Sequence, residues 1–486
     1  TGFEKIVHSA ASSTTGSAYA VTGIGADAEL LLLQADKISS TVTLAGLATP
    51  SLTVGAGATR TIVAADSVVG RIDDRSLVDP SVTAPLAQDL ENRGTVTGGA
   101  NLGGGNDILV NSGRFGGDVL LGAGDDSFTG VAGSSVAGAV FGGAGNDVYV
   151  IDSAGYSIVE QAGEGIDEVR TGLASYTLAA NVETLVGTSS AGQLVTGNGL
   201  DNVMTMGAGN DVLDLSSGGN DTANGGGGND YFYFGAAFTA ADTVVGGAGT
   251  DTVGLLGNYT LTLGANSLSG VENLSLLSGT AAGGIEHVTY SITTVDANVP
   301  AGGRLTVYGG GLLADESLFF NGYAETDGAL SVYGGAGNDT FAGGPANDAF
   351  VGGAGDDTMY GLGGSDWLEG GLGADTMRGG LGNDLYVYQS AAESTAAKTD
   401  HILDFEYVSD HIDLTRIDAN TGTGGDQAFT FIGSDAFSHT AGELRAYQSG
   451  ASWFVEGDVN GDGNADLIIQ VDPVAGHAII ASDFLL

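Results

Sequence analysis

Apolar and polar residues alternate along this chain over short stretches. Ser51 to Val54, Arg60 to Val63, Arg304 to Val307 and Ala329 to Tyr333 each read as a half-buried strand. From Gly334 to Val387 the pattern becomes strictly periodic, dividing into six nonapeptides: GGAGNDTFA, GGPANDAFV, GGAGDDTMY, GLGGSDWLE, GGLGADTMR and GGLGNDLYV. Position six is always aspartate (Asp339, Asp348, Asp357, Asp366, Asp375, Asp384). Position eight is always large and apolar (Phe341, Phe350, Met359, Leu368, Met377, Tyr386). The glycine-rich half lets the backbone turn tightly, and the extended half points position eight inward. Two units make a coil of 18 residues. Asp339, Asp357 and Asp375 are therefore predicted along one edge, and Asp348, Asp366 and Asp384 along the other.

Two less regular blocks repeat the chemistry upstream. LGGGNDILV, LGAGDDSFT and GGAGNDVYV place Asp107, Asp126 and Asp147, with Asp118 in a degenerate copy. MGAGNDVLD and GGGGNDYFY place Asp211 and Asp230, with Asp201, Asp221 and Asp251 in weaker copies. Their drifting spacing predicts fewer complete sites.

A second repeat is glycine or asparagine, apolar, glutamate, any residue, apolar. It occurs at Gly2 to Ile6, Asn181 to Leu185, Gly270 to Leu274 and Gly284 to Val288. Its first copy, at Gly2, suggests that residue 1 lies inside a solenoid and that the sequence is processed or truncated. Asp27 to Lys37 holds helix formers and four adjacent leucines, leaving helix and strand both open.

The expected fold is all-β: a parallel β-roll or β-solenoid with repeated cation-binding turns and a C-terminal β-rich cap. Its expected segments are an N-terminal solenoid (1–99), a first nonapeptide block (100–150), a β segment without cation turns (151–196), a second block (197–254), a β-rich insertion (255–333), the regular roll (334–387) and the cap with a candidate secretion region (388–486). Solenoids expose an apolar end unless an atypical unit covers it. Phe405, Ile412, Leu414, Phe429, Phe431, Phe437, Leu444, Trp453 and Phe454 supply that material.

Composition sharpens the picture. The 86 glycines come with 6 prolines and no three-residue period, which excludes collagen. Acidic residues number 59 against 13 basic ones, a formal charge of -46. Nucleic acid is a poor partner for such a surface, whereas cations are required by stacked carboxylates. Calcium suits them, since it accepts six or more carboxylate and carbonyl oxygens in irregular geometry. Without cysteine there is neither a disulfide nor a thiolate site, and no apolar run is long enough for a transmembrane segment. The beginning of the chain lacks the pattern of a signal peptide, so export would use another signal or one already removed.

The nonapeptides resemble those of the RTX family, which implies a parallel β-roll with calcium in its turns. Over roughly the last 150 residues the chain resembles the serralysin C-terminal module, including the apolar terminus Ser482-Asp483-Phe484-Leu485-Leu486. That resemblance implies type I secretion. Within the cap, Asp458, Asn460, Asp462, Asn464 and Asp466 place oxygens at every second position around a glycine turn, as a further calcium loop would. Ile469 stands where an EF-hand needs a bidentate glutamate, so an EF-hand is rejected, and a solvated Asx-turn is the alternative.

The candidate metal ligands are therefore Asp107, Asp126, Asp147, Asp211, Asp230, the six aspartates of the regular block and the five residues of this loop. No catalytic or organic cofactor site is nominated. His8, His287, His401, His411, His439 and His477 form no HExxH, which removes the zinc helix of a serralysin protease. A carboxylate pair for glycan chemistry stays open, so enzyme activity is undecided and not expected within these residues. The reading is a secreted or cell-surface, calcium-binding structural or adhesive protein, with a surface-layer component as one form, that folds and assembles on calcium. Its expected partners are calcium, copies of itself or a cell-surface glycan, and a type I secretion apparatus. The alternative is the non-catalytic part of a larger secreted metalloprotease or polysaccharide-modifying enzyme.

Overall fold

A computed structural model describes residues 5–9, 19–22, 29–33, 41–46, 48–49, 51–54, 60–74, 77, 87–279, 287–406, 409–474 and 477–486. The chain divides into two compact units, Thr1–Gly227 and Gly228–Leu486. Both are parallel β-solenoids of short strands joined by turns.

In the first unit the coils between Thr41 and Val136 have three sides. Ile108–Asn111, Arg114–Phe115 and Val119–Ala123 pair in parallel with Ser127–Gly130, Ser135–Val136 and Val140–Ala144 of the next coil. The third side is a short sheet running from Ala48–Thr49 to Ser135–Val136. Beyond it, the described coils of this unit have two strands each, as in Glu168–Thr171 and Ser175–Thr177. Tyr156 sits where the third side stops, edge-on to Phe128 at 5.3 Å, its hydroxyl bonded to Asn111 and Ser134.

One core column follows directly from strand register: Leu90, Leu109, Phe128, Tyr149, Val169, Leu185, Met204 and Ala223 lie on successive coils, all buried. Each parallel pairing keeps side chains of the same face in line, so an inward position stays inward from coil to coil.

In the second unit the position-eight residues build two such columns. Phe320, Phe341, Met359, Met377, Ile402 and Val471 form one; Val332, Phe350, Leu368, Tyr386, Ile412 and Phe484 form the other. The cap begins with a change of direction. Leu467–Pro473 pairs in parallel with Asp400–Phe405, and Ser452–Asp458 and Glu443–Ser449 then add antiparallel. Phe405, Ile412, Leu414, Phe429 and Leu444 are buried in it. Trp453 and Phe454 are half-buried, and Phe437 carries Arg445 over its ring at 4.5 Å.

The four alternating stretches are strands: Leu52–Val54, Arg60–Val63, Arg304–Tyr308 and Ala329–Tyr333. Within Asp27 to Lys37, Glu29–Leu33 is a strand paired with Lys5–Ser9, which settles that ambiguity toward β. Gly2 to Glu4 and Gly284 to Glu286 lie outside the described residues.

Candidate calcium-binding ladders

In the regular block Asp357, Asp366, Asp375 and Asp384 each accept the backbone N–H of the aspartate one coil earlier, 18 residues away, while Asp339 and Asp348 start the two ladders by accepting from Leu318 and Leu330 N–H. Asp339 N–H donates to Asp357 Oδ1 (2.7 Å), and Asp357 N–H to Asp375 Oδ1 (2.8 Å). On the other edge Asp348 N–H donates to Asp366 (2.8 Å) and Asp366 N–H to Asp384 (2.9 Å). Position five forms a second, exposed ladder outside the first: Asp356 N–H donates to Asn338 Oδ1, and Ser365 N–H to Asn347 Oδ1. Paired Asn-Asp or Asp-Asp in the repeat thus has a structural cause, one rung for each ladder.

Both inner ladders continue past the nonapeptides. Asp375 N–H donates to Asp400 Oδ1 (2.9 Å), and Asp384 N–H to Asp410 Oδ1 (3.0 Å). These two residues escaped the sequence reading. Their signal is Asp400-His401-Ile402 and Asp410-His411-Ile412, which repeat the order of positions six to eight, with Ile402 and Ile412 buried in the core columns.

The first unit carries one long ladder. Backbone N–H groups of Gln88, Asp107, Asp126 and Asp147 donate in turn to Oδ1 of Asp107, Asp126, Asp147 and Asp167, and Asp167 N–H donates to Glu183 Oε2. The turns of the first block are therefore in register along a single edge, which corrects the expectation that drifting spacing offsets them. The third strand absorbs the extra residues of coils 19 to 21 residues long. The ladder also runs into 151–196, expected to lack cation-type turns, through Asp167 and Glu183. Shorter runs place Asp211 below Gln193 and Asp221 below Asn202. In the second unit Asp230 leads to Asp251, and Asp251 to Glu272.

The second repeat now has a role. Glu183 and Glu272 take the ladder position that aspartate holds elsewhere. The residue two before each, Asn181 (φ 64°) and Gly270 (φ 59°), is left-handed, a conformation that glycine and asparagine tolerate best.

The donor set fits a hard cation. Oδ2 of Asp107, Asp126, Asp147, Asp167, Asp251, Asp357, Asp366, Asp375 and Asp384 is buried with no hydrogen-bond partner among the described residues. Native interiors rarely leave such atoms unsatisfied. A β-carbon placed on Gly352 would lie 2.3 Å from Asp357 Oδ2 and 2.5 Å from the Gly370 carbonyl oxygen. Carboxylate and carbonyl oxygens thus converge over a position that only glycine leaves open, and they are calcium-type ligands. At Asp107 and Asp126 the same position is filled by buried Leu102 and Leu121.

Burial raises these carboxyls out of the usual range: Asp357, Asp366 and Asp107 to about 8, Asp126, Asp339, Asp348 and Asp375 to about 6, Asp410 to about 7 and Asp400 to about 9. Two charges at strand spacing of roughly 4.8 Å repel by about 3 kcal/mol at an effective dielectric of ~20. Cations between the rungs, or protons on them, would relieve that repulsion.

Some sequence candidates stand apart. Asp118 and Asp201 are exposed; Asp118 accepts the backbone N–H of Ala139, and Asp201 accepts both the backbone N–H and the side-chain amide of Asn220. In the cap loop Asp458 accepts from Asn460, Gly461 and Gly463, Asp466 from Val459 and Asn460, and Asp462 from Asn464. These are the bonds of the Asx-turn alternative, and calcium there would have to exchange with them.

Fold and ladders together define a class: a parallel β-solenoid whose turns carry calcium-type acidic repeats. Comparison with known families agrees. The RTX calcium-binding nonapeptide repeat matches residues 207–237 and 239–253, and the family described as Peptidase M10 serralysin C terminal matches residues 297–486. RTX calcium-binding repeats and a serralysin-like C-terminal domain are therefore present, the latter taking in the regular block as well as the cap. The chain is also 42% identical over 91 residues to the endo-1,3-1,4-beta-glycanase ExsH of Rhizobium meliloti (strain 1021), a match spanning 19% of this chain and 19% of that protein. Among the described residues no helix is long and apolar enough to cross a membrane.

Proposed function

We propose that this chain is an extracellular calcium-binding scaffold or adhesin, of the kind that builds a surface layer, which folds and assembles when calcium fills its ladders. The observation that carries this reading is the buried, partnerless carboxylate oxygens repeated along both units. Calcium is held in the proposal by Asp107, Asp126, Asp147, Asp211, Asp230, Asp339, Asp348, Asp357, Asp366, Asp375 and Asp384, joined by Asp251, Asp400 and Asp410. The cap loop Asp458 to Asp466 is a further, exchangeable site. Bound calcium makes binding energy part of folding energy. At extracellular sites of this type affinities are about 10⁻⁴ to 10⁻³ M, so the chain stays unfolded in a low-calcium cytoplasm and folds after type I secretion. The remaining acidic surface then meets copies of itself or a cell-surface glycan through calcium bridges.

A second reading, the non-catalytic part of a larger secreted enzyme, is favoured by the 91-residue likeness to a protein named as a glycanase and by the serralysin-type domain. Electron microscopy and light scattering of the 486-residue chain, with and without millimolar calcium, separate the two, together with binding to calcium-stripped producing cells. Calcium-dependent assembly or attachment supports the scaffold. A strictly monomeric particle that never attaches defeats it.

A further inference from the structure

We propose that Glu160 and Asp167, neither of them in a nonapeptide, join the nonapeptide aspartate Asp147, with Tyr149 beside them, in a three-carboxylate calcium site in the first unit. One carboxylate oxygen from each acidic residue lies within 4.8 Å of the others, and all three residues are buried. Asp147 and Asp167 are each 1% exposed, and Oδ2 of each has no hydrogen-bond partner among the described residues.

The site arises from a break in a core column. Strand register stacks Leu102 on Leu121, Leu121 on Gly142 and Gly142 on Glu160. The first two are buried leucines. At the third the side chain is lost, and at the fourth a carboxylate points where the column is otherwise apolar. A β-carbon on Gly142 would lie 2.1 Å from Glu160 Oε1, 2.1 Å from Tyr149 Oη and 2.2 Å from Asp147 Oδ2. Three oxygens thus close on the space that Gly142 vacates.

Glu160 is held in place from both sides. The Tyr149 hydroxyl donates to Oε1, the Gly143 N–H donates to Oε2 at 3.3 Å, and Asn181 Nδ2 fixes the Glu160 carbonyl at 2.9 Å. None of the three carboxylates has an ion pair with lysine or arginine among the described residues; nearby Arg170 pairs with Glu168. Three buried negative charges without a basic partner need a cation of high charge density and flexible coordination, which is the chemistry of calcium. A nonapeptide turn in the leucine-lined part of this ladder offers fewer carboxylates to one ion, so the Glu160 site fills first and pins the coil where three sides become two.

The inference rests on the calcium reading above, and the test keeps the two apart. The full chain is titrated with calcium by calorimetry, and with terbium under tyrosine excitation. Glu160→Gln is expected to remove one ion from the tightest class or weaken it by about tenfold or more, leaving the other ions bound. Tyr149→Phe is expected to keep that ion and lose the sensitised terbium emission of the first equivalent. If the wild-type chain binds no calcium at all, the general reading fails with this one. If it binds calcium and Glu160→Gln changes neither the number nor the affinity of the tight ions, this site alone is overturned. Should Glu160→Gln fail to fold, unchanged first-equivalent emission in folded Tyr149→Phe overturns the site.

Discussion

The first block, around Asp107 to Asp147, and the regular block, around Asp339 to Asp384, use the same acidic turn in different coils. In the regular block a nonapeptide is half a coil, so aspartates line both edges and glycine underlies each carboxylate. In the first block a third strand lengthens the coil to 19 to 21 residues, one edge alone carries the ladder, and leucine replaces glycine beneath Asp107 and Asp126. The comparison teaches that the carboxylate ladder is set by coil register and the cation cradle by position one. Leucine beneath Asp107 and Asp126 leaves the proposed calcium less room there than glycine leaves it beside Asp357.

Exchanging the position-one residues breaks this comparison most directly. Gly352→Val drives a side chain into Asp357 Oδ2 and the Gly370 carbonyl, and is expected to destabilise the calcium-loaded chain by about 3 kcal/mol and to lower its bound calcium. Leu121→Ala leaves a core cavity, with an expected loss of about 2 to 5 kcal/mol and no loss of calcium. Calorimetric melting with ion counting on both variants reads the two effects. A loss of calcium from Leu121→Ala equal to that from Gly352→Val would erase the distinction.

Acidity gives the next effect. In chelator the ladder carboxyls have folded pKa values raised from 3.8 to about 6 to 8, chiefly by burial. A raised carboxyl favours the protonated fold, so this contribution is fully present below about pH 3.8 and is lost as pH rises through 6 to 8. The calcium-free chain is therefore expected to melt higher at pH 5 than at pH 8. With calcium the order reverses, because protons compete with the ion for the same oxygens. Thermal melts under the four conditions check the sign, and a calcium-free chain more stable at pH 8 would contradict it.

Asp357→Asn removes a charge with ladder neighbours on both sides. It is expected to weaken calcium binding at the adjoining turns by roughly 10- to 100-fold, against a smaller change for Asp126→Asn over its leucine. Asp400→Asn should match Asp375→Asn within about threefold, because both are rungs of one ladder. Equilibrium dialysis measures all four. At the small end, Asp118→Ala is expected to shift stability by no more than about 0.5 kcal/mol, since Asp118 is exposed outside the inner ladder.

Six perfect nonapeptides made the regular roll legible, because a nine-residue period reports the coil directly. Asp400 and Asp410 were not legible from that period: they lie 25 and 26 residues from their partners, because extra residues after Val387, Tyr388 and Ser394 among them, are taken into the packing while the strands keep register. The third side of the first unit was hidden as well. Its strands, such as Arg114–Phe115, are two residues long and too short to show alternation. Glu183 and Glu272 were visible as a repeat, yet their place as ladder ends depends on which strands become neighbours in space. Glu160 reads as an ordinary polar residue until strand register sets it in a column of leucines.

The central claim is that calcium, held by the buried carboxylates, is part of the folded structure. Its most direct test is a calcium titration of the full 486-residue chain at pH 8, following circular dichroism and bound calcium together. The account expects a weak β signal in chelator that rises cooperatively as calcium reaches about 10⁻⁴ to 10⁻³ M, in step with the ions bound. A full β signal in chelator that calcium leaves unchanged would contradict it.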